Sequence, residues 1–207
     1  MKKIFMNNSL LINKFLYVRV FNLKIRWALI TLTGLILLIL SAKIKVPVPP
    51  VPITLQTLFV LVYSMSVGSR ISSLTFILYL FLGSMSVPVF ANPPYGGFGY
   101  LLGPSGGYLL GMLLSSYFVG ILAENNFDKS YFKSFIAMSL GTVLIFLPGI
   151  LWLGYWYNFS SINAQELDFT QSYYKSLQNG LFLFKFTEPV KLLLASFIIP
   201  LIWQLKK

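Results

Sequence analysis

Thr187-Glu188-Pro189-Val190-Lys191 holds the pair of side chains with the most chemical potential in this sequence. Glu188 and Lys191 are three apart, so on a helix they share a face. An apolar stretch follows them, and ionisable groups within such a stretch normally face a polar cavity because burying them in hydrocarbon is costly. A carboxylate there accepts N–H donors, and an ammonium meets a carbonyl or an anion. At a helix start Glu188 is also favoured by the helix dipole. A structural ion pair is the alternative use of the same two groups. As acid and base they would make an intramembrane enzyme, although no nucleophile or metal set accompanies them.

Two further stretches offer neutral polar groups. Positions 47 to 52 carry four prolines in six residues, which excludes helix and implies an extended, polyproline-like segment. Thr54, Gln56 and Thr57 follow it, available to a ligand or to helix backbone. Val87 to Tyr108 contains six glycines, four prolines and no charge, the composition of a turn-rich loop folded into the protein. Glycine N–H groups such as that of Gly97, together with Asn92 and Tyr95, suit a small, flat, neutral polar ring. The Asn92 amide is donor and acceptor at once; capping of loop backbone is its alternative role.

Composition limits what these groups can do. The 207 residues include no Cys and no His, and only five acids. That removes thiolate chemistry, the usual general base and the commonest metal ligand, so no metal and no cofactor is expected. Only 10% of residues are charged, against about 25% in soluble domains, and mean hydropathy is +0.77. Residues 46–69, 71–123 and 134–165 are uncharged throughout. Uncharged apolar runs of ~18 or more residues mark membrane spans. The net charge of +11 is distributed between apolar segments and is explained by a lipid bilayer rather than by nucleic acid.

The elements that must position the polar groups are therefore membrane helices. Six are expected: Trp27 to Ala42, Ile53 to Val67, Ile71 to Gly83, Pro104 to Ala123, Phe135 to Tyr155 and Pro189 to Leu205. Small residues Gly107, Gly111, Ser115 and Ser116 suit close helix packing in the fourth. Trp152, Tyr155, Trp156 and Tyr157 read as an interfacial aromatic belt. The stretch from about Tyr157 to Phe186 reads as a long polar connection able to cover the outer loops. Eleven of the sixteen basic residues fall on one side of this scheme, which places both termini in the cytoplasm. Lys43, Lys45, Lys175 and Lys185 fall outside. Residues 1–26 form a basic extension, either amphipathic on an anionic membrane face or disordered; residues 27–207 form the six-helix domain.

Pro47-Val48-Pro49-Pro50-Val51-Pro52-Ile53-Thr54-Leu55-Gln56-Thr57, then Leu78-Tyr79-Leu80-Phe81-Leu82-Gly83, Val87-Pro88-Val89-Phe90-Ala91 and Gly103-Pro104-Ser105-Gly106-Gly107-Tyr108 together resemble the BioY family. Its members are substrate-binding subunits of energy-coupling-factor (ECF) vitamin importers, specific for biotin. The resemblance implies an all-α membrane protein with outward-facing loops forming the biotin pocket. It also implies release to the inside after docking on a transmembrane coupling subunit with two ATPase subunits. Transferred residue by residue, it makes Asn92 and Glu188 partners of the biotin ureido ring with Lys191 beside them. Gln56, Thr54, Tyr95 and the glycine loop with Gly97 line the rest. One departure stands out: Phe186-Thr187-Glu188 occupies the place of the family's P-G-D. The chain carries no Gly-x-x-x-x-Gly-Lys-[Ser/Thr] phosphate loop, so it would bind rather than hydrolyse. The implied location is a bacterial plasma membrane, or an organelle membrane of bacterial descent. Another vitamin as ligand, or an assembly subunit with none, are the competing expectations.

Overall fold

The computed structural model describes residues 10–11, 22–161 and 168–205. From Leu23 onward the described residues form α1 Leu23–Lys43, α2 Gln56–Val67, α3 Ser69–Ser84, α4 Phe98–Leu101, α5 Gly106–Glu124, α6 Tyr131–Ser161, α7 Phe169–Gly180 and α8 Thr187–Gln204. Between α1 and α2 two short strands, β1 (Lys45–Val46) and β2 (Ile53–Thr54), pair antiparallel with Lys45 opposite Thr54. The proline-rich segment is the hairpin that joins them. It is not helical, as its four prolines require, but it bends at Pro49 to Val51 instead of running extended, and the strand pairing at its ends satisfies the flanking backbone.

The helices show their apolar side chains outward. Leu29, Leu32 and Ile36 on α1, Leu140, Leu147 and Leu151 on α6, and Leu194, Phe197 and Leu201 on α8 are all exposed. Water would not support such faces; hydrocarbon does. Among the described residues, three helices are long and apolar enough to cross a membrane: Lys24–Lys43, Gly106–Glu124 and Tyr131–Phe159. A fourth is reached if Phe169–Phe184 and Thr187–Gln204, bent by 48°, count as one span. α2 and α3 are apolar but short, at 12 and 16 residues.

Small residues set the helix spacing where the sequence places them. A Cβ on Gly111 would come within 2.6 Å of the Ile145 carbonyl oxygen, so α5 and α6 touch backbone to backbone there. Two larger apolar clusters and a small one of Ile30, Val67 and Ile71 result among the described residues. Phe76, Tyr79, Phe90, Tyr108, Ile145 and Phe184 fill the end that carries the proline and glycine loops. Met65, Val119, Met138 and Ile199 fill the other, and Leu10 and Leu11 pack into them.

Three expectations need revision. α1 begins at Leu23, four residues before the boundary expected for the helical domain; of the rest of the N-terminal extension only Leu10 and Leu11 are described, and its amphipathic or disordered character lies outside the described residues. The connection expected between Tyr157 and Phe186 contains a helix, α7. Ser172, Ser176 and Gly180 are buried along one side of it, and Gly154 of α6 lies against Tyr173. Its small buried residues recur every four positions, a helical period that a polar, aromatic composition conceals. The aromatic belt is also split. Tyr155 is exposed, but Trp152 donates its indole N–H to the Gly103 carbonyl at 2.9 Å, and Tyr157 is buried and accepts from Asn179.

Candidate functional site

The site grows from the first turn of α8. Thr187 starts the helix, its hydroxyl donating to the Phe184 carbonyl, and Glu188 and Lys191 lie on one face as their spacing requires. Their side chains pair at 2.5 Å, Lys191 Nζ to Glu188 Oε1. The ammonium does more than neutralise the carboxylate. It donates to the Thr54 carbonyl at 2.7 Å and lies 3.2 Å from the Thr57 hydroxyl. One lysine thus ties α8 to β2 and to the first turn of α2. Both side chains are nearly buried, at 11% and 8% exposure for Lys191 and Glu188.

From β2 the polar chain continues inward. The Thr54 hydroxyl accepts the Gln56 backbone N–H, and Gln56 Nε2 donates to the Tyr79 hydroxyl at 2.9 Å. Tyr79 in turn donates to the Val89 carbonyl at 3.3 Å, which fixes the start of the glycine loop on α3. Phe90 stacks on Tyr100, ring centroids 4.4 Å apart, and meets Tyr79 edge-on. Asn92 follows, its backbone N–H aimed at the Tyr100 hydroxyl and its carbonyl accepting from Tyr95. Burial pushes the Tyr100 hydroxyl above its ordinary range, so it remains neutral beside Asn92.

Asn92, Glu188, Lys191, Gln56 and Thr54 therefore belong to one connected arrangement around the strand pair. Tyr95 stands at its rim in the left-handed region at φ 64°, a conformation held by the turn that its N–H and carbonyl close with Asn92 and Phe90. Gly97 has φ 98°, open to glycine. Its N–H donates to the Gly83 carbonyl at 2.7 Å, so its bond holds the loop onto α3.

Two residues at the site were read from sequence only as outer-loop charges. Lys45 Nζ donates to Asn92 Oδ1 at 2.6 Å and to the Ala91 carbonyl. Lys43 Nζ donates to the Phe90 carbonyl at 2.6 Å. Both ammoniums stand over the Tyr95 ring, 4.6 Å and 5.5 Å from its centroid for Lys43 and Lys45. The signal was in the sequence: Lys45, opposite Thr54 in any hairpin closed by the prolines, had to lie beside the polar residues of β2.

An apolar crevice of about 490 Å³ opens between α6 and α8, with Glu188 and Lys185 on its wall. Phe135, Val143 and Leu193, exposed apolar side chains, form its rim. Its lining is almost wholly apolar, and the polar arrangement lies beside it. No group of three or more carboxylates among the described residues could hold a metal ion.

Comparison with known proteins accords with this geometry. The family model described as "BioY family" matches residues 13–207. The chain belongs to the BioY family. Among relatives, "Biotin transporter BioY" of Thermotoga maritima is 36% identical over 121 residues, covering 58% of this chain and 69% of that one. "Biotin transporter BioY2" of Lactococcus lactis subsp. cremoris is 32% identical over 145 residues, covering 69% and 76%. The crystal structure of the S-component for biotin from an ECF-type ABC transporter superposes with a TM-score of 0.70 at 22% identity, over 87% of this chain and 92% of that one. At that identity the likeness establishes the fold. This family member is an integral membrane protein built as an S-component, and its family is one of transporter subunits, not of enzymes.

Proposed function

We propose that the chain is the biotin-capturing membrane subunit of an ATP-driven importer of the ECF type. The observation that carries this reading is the convergence of Asn92 and Glu188, from two distant segments, on the strand pair that Lys191 clamps. A ureido ring presents two N–H donors on either side of one carbonyl. Glu188 accepts one N–H, Asn92 Oδ1 accepts the other, and the Lys191 ammonium or the Asn92 amide N–H donates to the carbonyl. Gln56, Thr54, Tyr95 and the Gly97 turn complete the binding site in this reading. A water-filled alternative for each of these groups is poor, so a ring that satisfies all of them together is selected over one that leaves any unpaired.

In this reading six segments cross the bilayer of a bacterial plasma membrane, with both termini cytoplasmic and the loops outward. The short helices α2 and α3 complete two crossings with the strand pair and the glycine loop, whose non-helical backbone lies toward the outer side. The chain supplies binding; a transmembrane coupling subunit and two ATPase subunits supply the energy. Equilibrium binding of biotin to the protein purified in detergent tests the reading. Saturable one-to-one binding at micromolar concentration or below is expected, and absence of binding at that concentration overturns it.

A further inference from the structure

The pair Lys43 and Lys45 is unbalanced. Among the described residues neither lysine is paired with a carboxylate, and the nearby Glu188 carboxylate is held by Lys191. Their partners are the neutral Phe90 and Ala91 carbonyls and the Asn92 amide oxygen, and the face of Tyr95. Two ammoniums held over one ring, with no counter-anion, form a receptor for an anion. Lys45 is also directly across the strand pair from Thr54, whose carbonyl is held by Lys191. The two cationic positions thus flank the same backbone.

We infer that Lys45, supported by Lys43, anchors the carboxylate at the end of the ligand's side chain, and that Lys45 releases Asn92 Oδ1 to the ligand ring as it does so. This inference rests on the biotin reading above. A ring N–H and the Lys45 ammonium compete for one acceptor, Asn92 Oδ1. An ammonium displaced from that amide would be stranded unless it gained something better, and a carboxylate is the stronger partner. The flexible four-carbon stem of lysine allows the exchange without moving the hairpin. Ring recognition and tail recognition are thereby coupled: a ligand with the ring but without the anionic tail must displace Lys45 and offer it nothing.

The test compares biotin with biotinamide, in which a neutral amide replaces the carboxylate, on wild type, Lys45→Met, Lys45→Arg and Lys43→Met/Lys45→Met. Wild type is expected to prefer biotin by roughly 10- to 100-fold, the range of a hydrogen bond to a charged group. Lys45→Met should reduce that preference to within about threefold by weakening biotin, with biotinamide binding held or improved because Asn92 is released; Lys45→Arg should restore most of it. Raising salt should erode the wild-type preference, since this pair stands at the rim. Equal weakening of both ligands in Lys45→Met marks a purely structural clamp on the glycine loop and overturns the inference. So does a preference that survives in the double variant. Wild type binding both ligands alike overturns it while leaving the biotin reading intact; wild type binding neither overturns both. Should the methionine variants not fold, the wild-type ratio and its salt dependence decide.

Discussion

The two ends of this helix bundle are both laced by buried polar groups, but with opposite charge logic. At the loop end there are three ammoniums and one carboxylate: Lys191 pairs with Glu188, while Lys43 and Lys45 lean on neutral carbonyls and an amide. At the other end Glu124 and Asp128 accept hydrogen bonds from neutral groups. Glu124 Oε1 takes the Ser69 backbone N–H and hydroxyl, each at 2.8 Å. Asp128 Oδ2 takes the Trp203 indole N–H at 2.7 Å. Those are pairwise fasteners between helix ends: Glu124 closes α5 on the start of α3, and Asp128 closes the α5–α6 turn on α8. An excess of cationic donors on exchangeable acceptors suits capture of a ligand; acids bonded across helix ends suit rigidity. Mutation at the loop end should therefore alter affinity, and mutation at the other end should alter stability.

The sharpest way to break that division is at Glu188 and Asn92. Asn92→Ala and Glu188→Ala should each weaken biotin binding by roughly 10- to 100-fold, because each leaves a ligand N–H buried without an acceptor. Glu188→Ala should also lower the thermal unfolding midpoint, since it strands the buried Lys191 ammonium. Asn92→Ala, at the looser rim, should change that midpoint little. Titration calorimetry and thermal unfolding on the same preparations check both; unaltered affinity in both variants would remove the ligand role from these residues.

Charge scarcity is what made part of this site legible beforehand. With few ionisable groups in apolar surroundings, Glu188 and Lys191 could be paired from spacing alone, and the structure pairs them. Asn92, Gln56 and Thr54 were legible as polar groups but not as a connected set, because Gln56 reaches Asn92 only through Tyr79 and the Val89 backbone, 23 and 33 positions along the chain. Such long-range contacts leave no local periodicity to read. Lys43 and Lys45 were misjudged for a different reason: a basic residue near a membrane boundary already has an explanation, so its partner was not sought. α7 was missed although Phe169, Tyr173 and Leu177 recur every four positions along it, because the polar residues between them made the stretch read as a connection.

Asp128 gives the next prediction, at the fastening end. It is buried, and burial pushes its carboxyl up to about 6, with the Trp203 hydrogen bond and the nearby Lys129 ammonium pulling partly the other way. Its unfolded value is 3.8. Between those two values the folded protein holds a proton that the unfolded chain has released, so stability falls as pH rises from about 4 through about 6. Asp128→Asn should flatten that portion of the stability profile and keep an acceptor for Trp203. Unfolding midpoints measured from pH 4 to 7 check it, and biotin affinity should not follow them.

Gly111→Ala probes the seam that joins the two ends. The added methyl would press on the Ile145 and Leu144 carbonyl oxygens, both 2.6 Å from an ideal Cβ. Backbone cannot swing aside as a flexible side chain does, so a cost of about 1–3 kcal/mol is expected. If α5 and α6 separate as rigid bodies to relieve it, the unfolding midpoint falls and affinity for biotin is preserved, because neither helix supplies a ligand contact.

The smallest expected effect sharpens the comparison most. Tyr131 at the start of α6 donates to Gln204 Oε1 at the end of α8 at 3.0 Å, in an exposed position. Its ring also lies 5.4 Å from that of Phe197. Tyr131→Phe keeps the ring contact and removes one solvent-competed hydrogen bond, so the loss should be at most about 0.5 kcal/mol. α8 runs from this contact to Glu188 at its far end. If the terminal end is only a fastener, loosening the last turn of α8 leaves the first turn, and the Lys191 clamp on Thr54, unchanged. Biotin affinity measured in Tyr131→Phe should then equal that of wild type. A change in affinity larger than the change in stability would mean that α8 transmits strain along its length, and that the two ends are not independent.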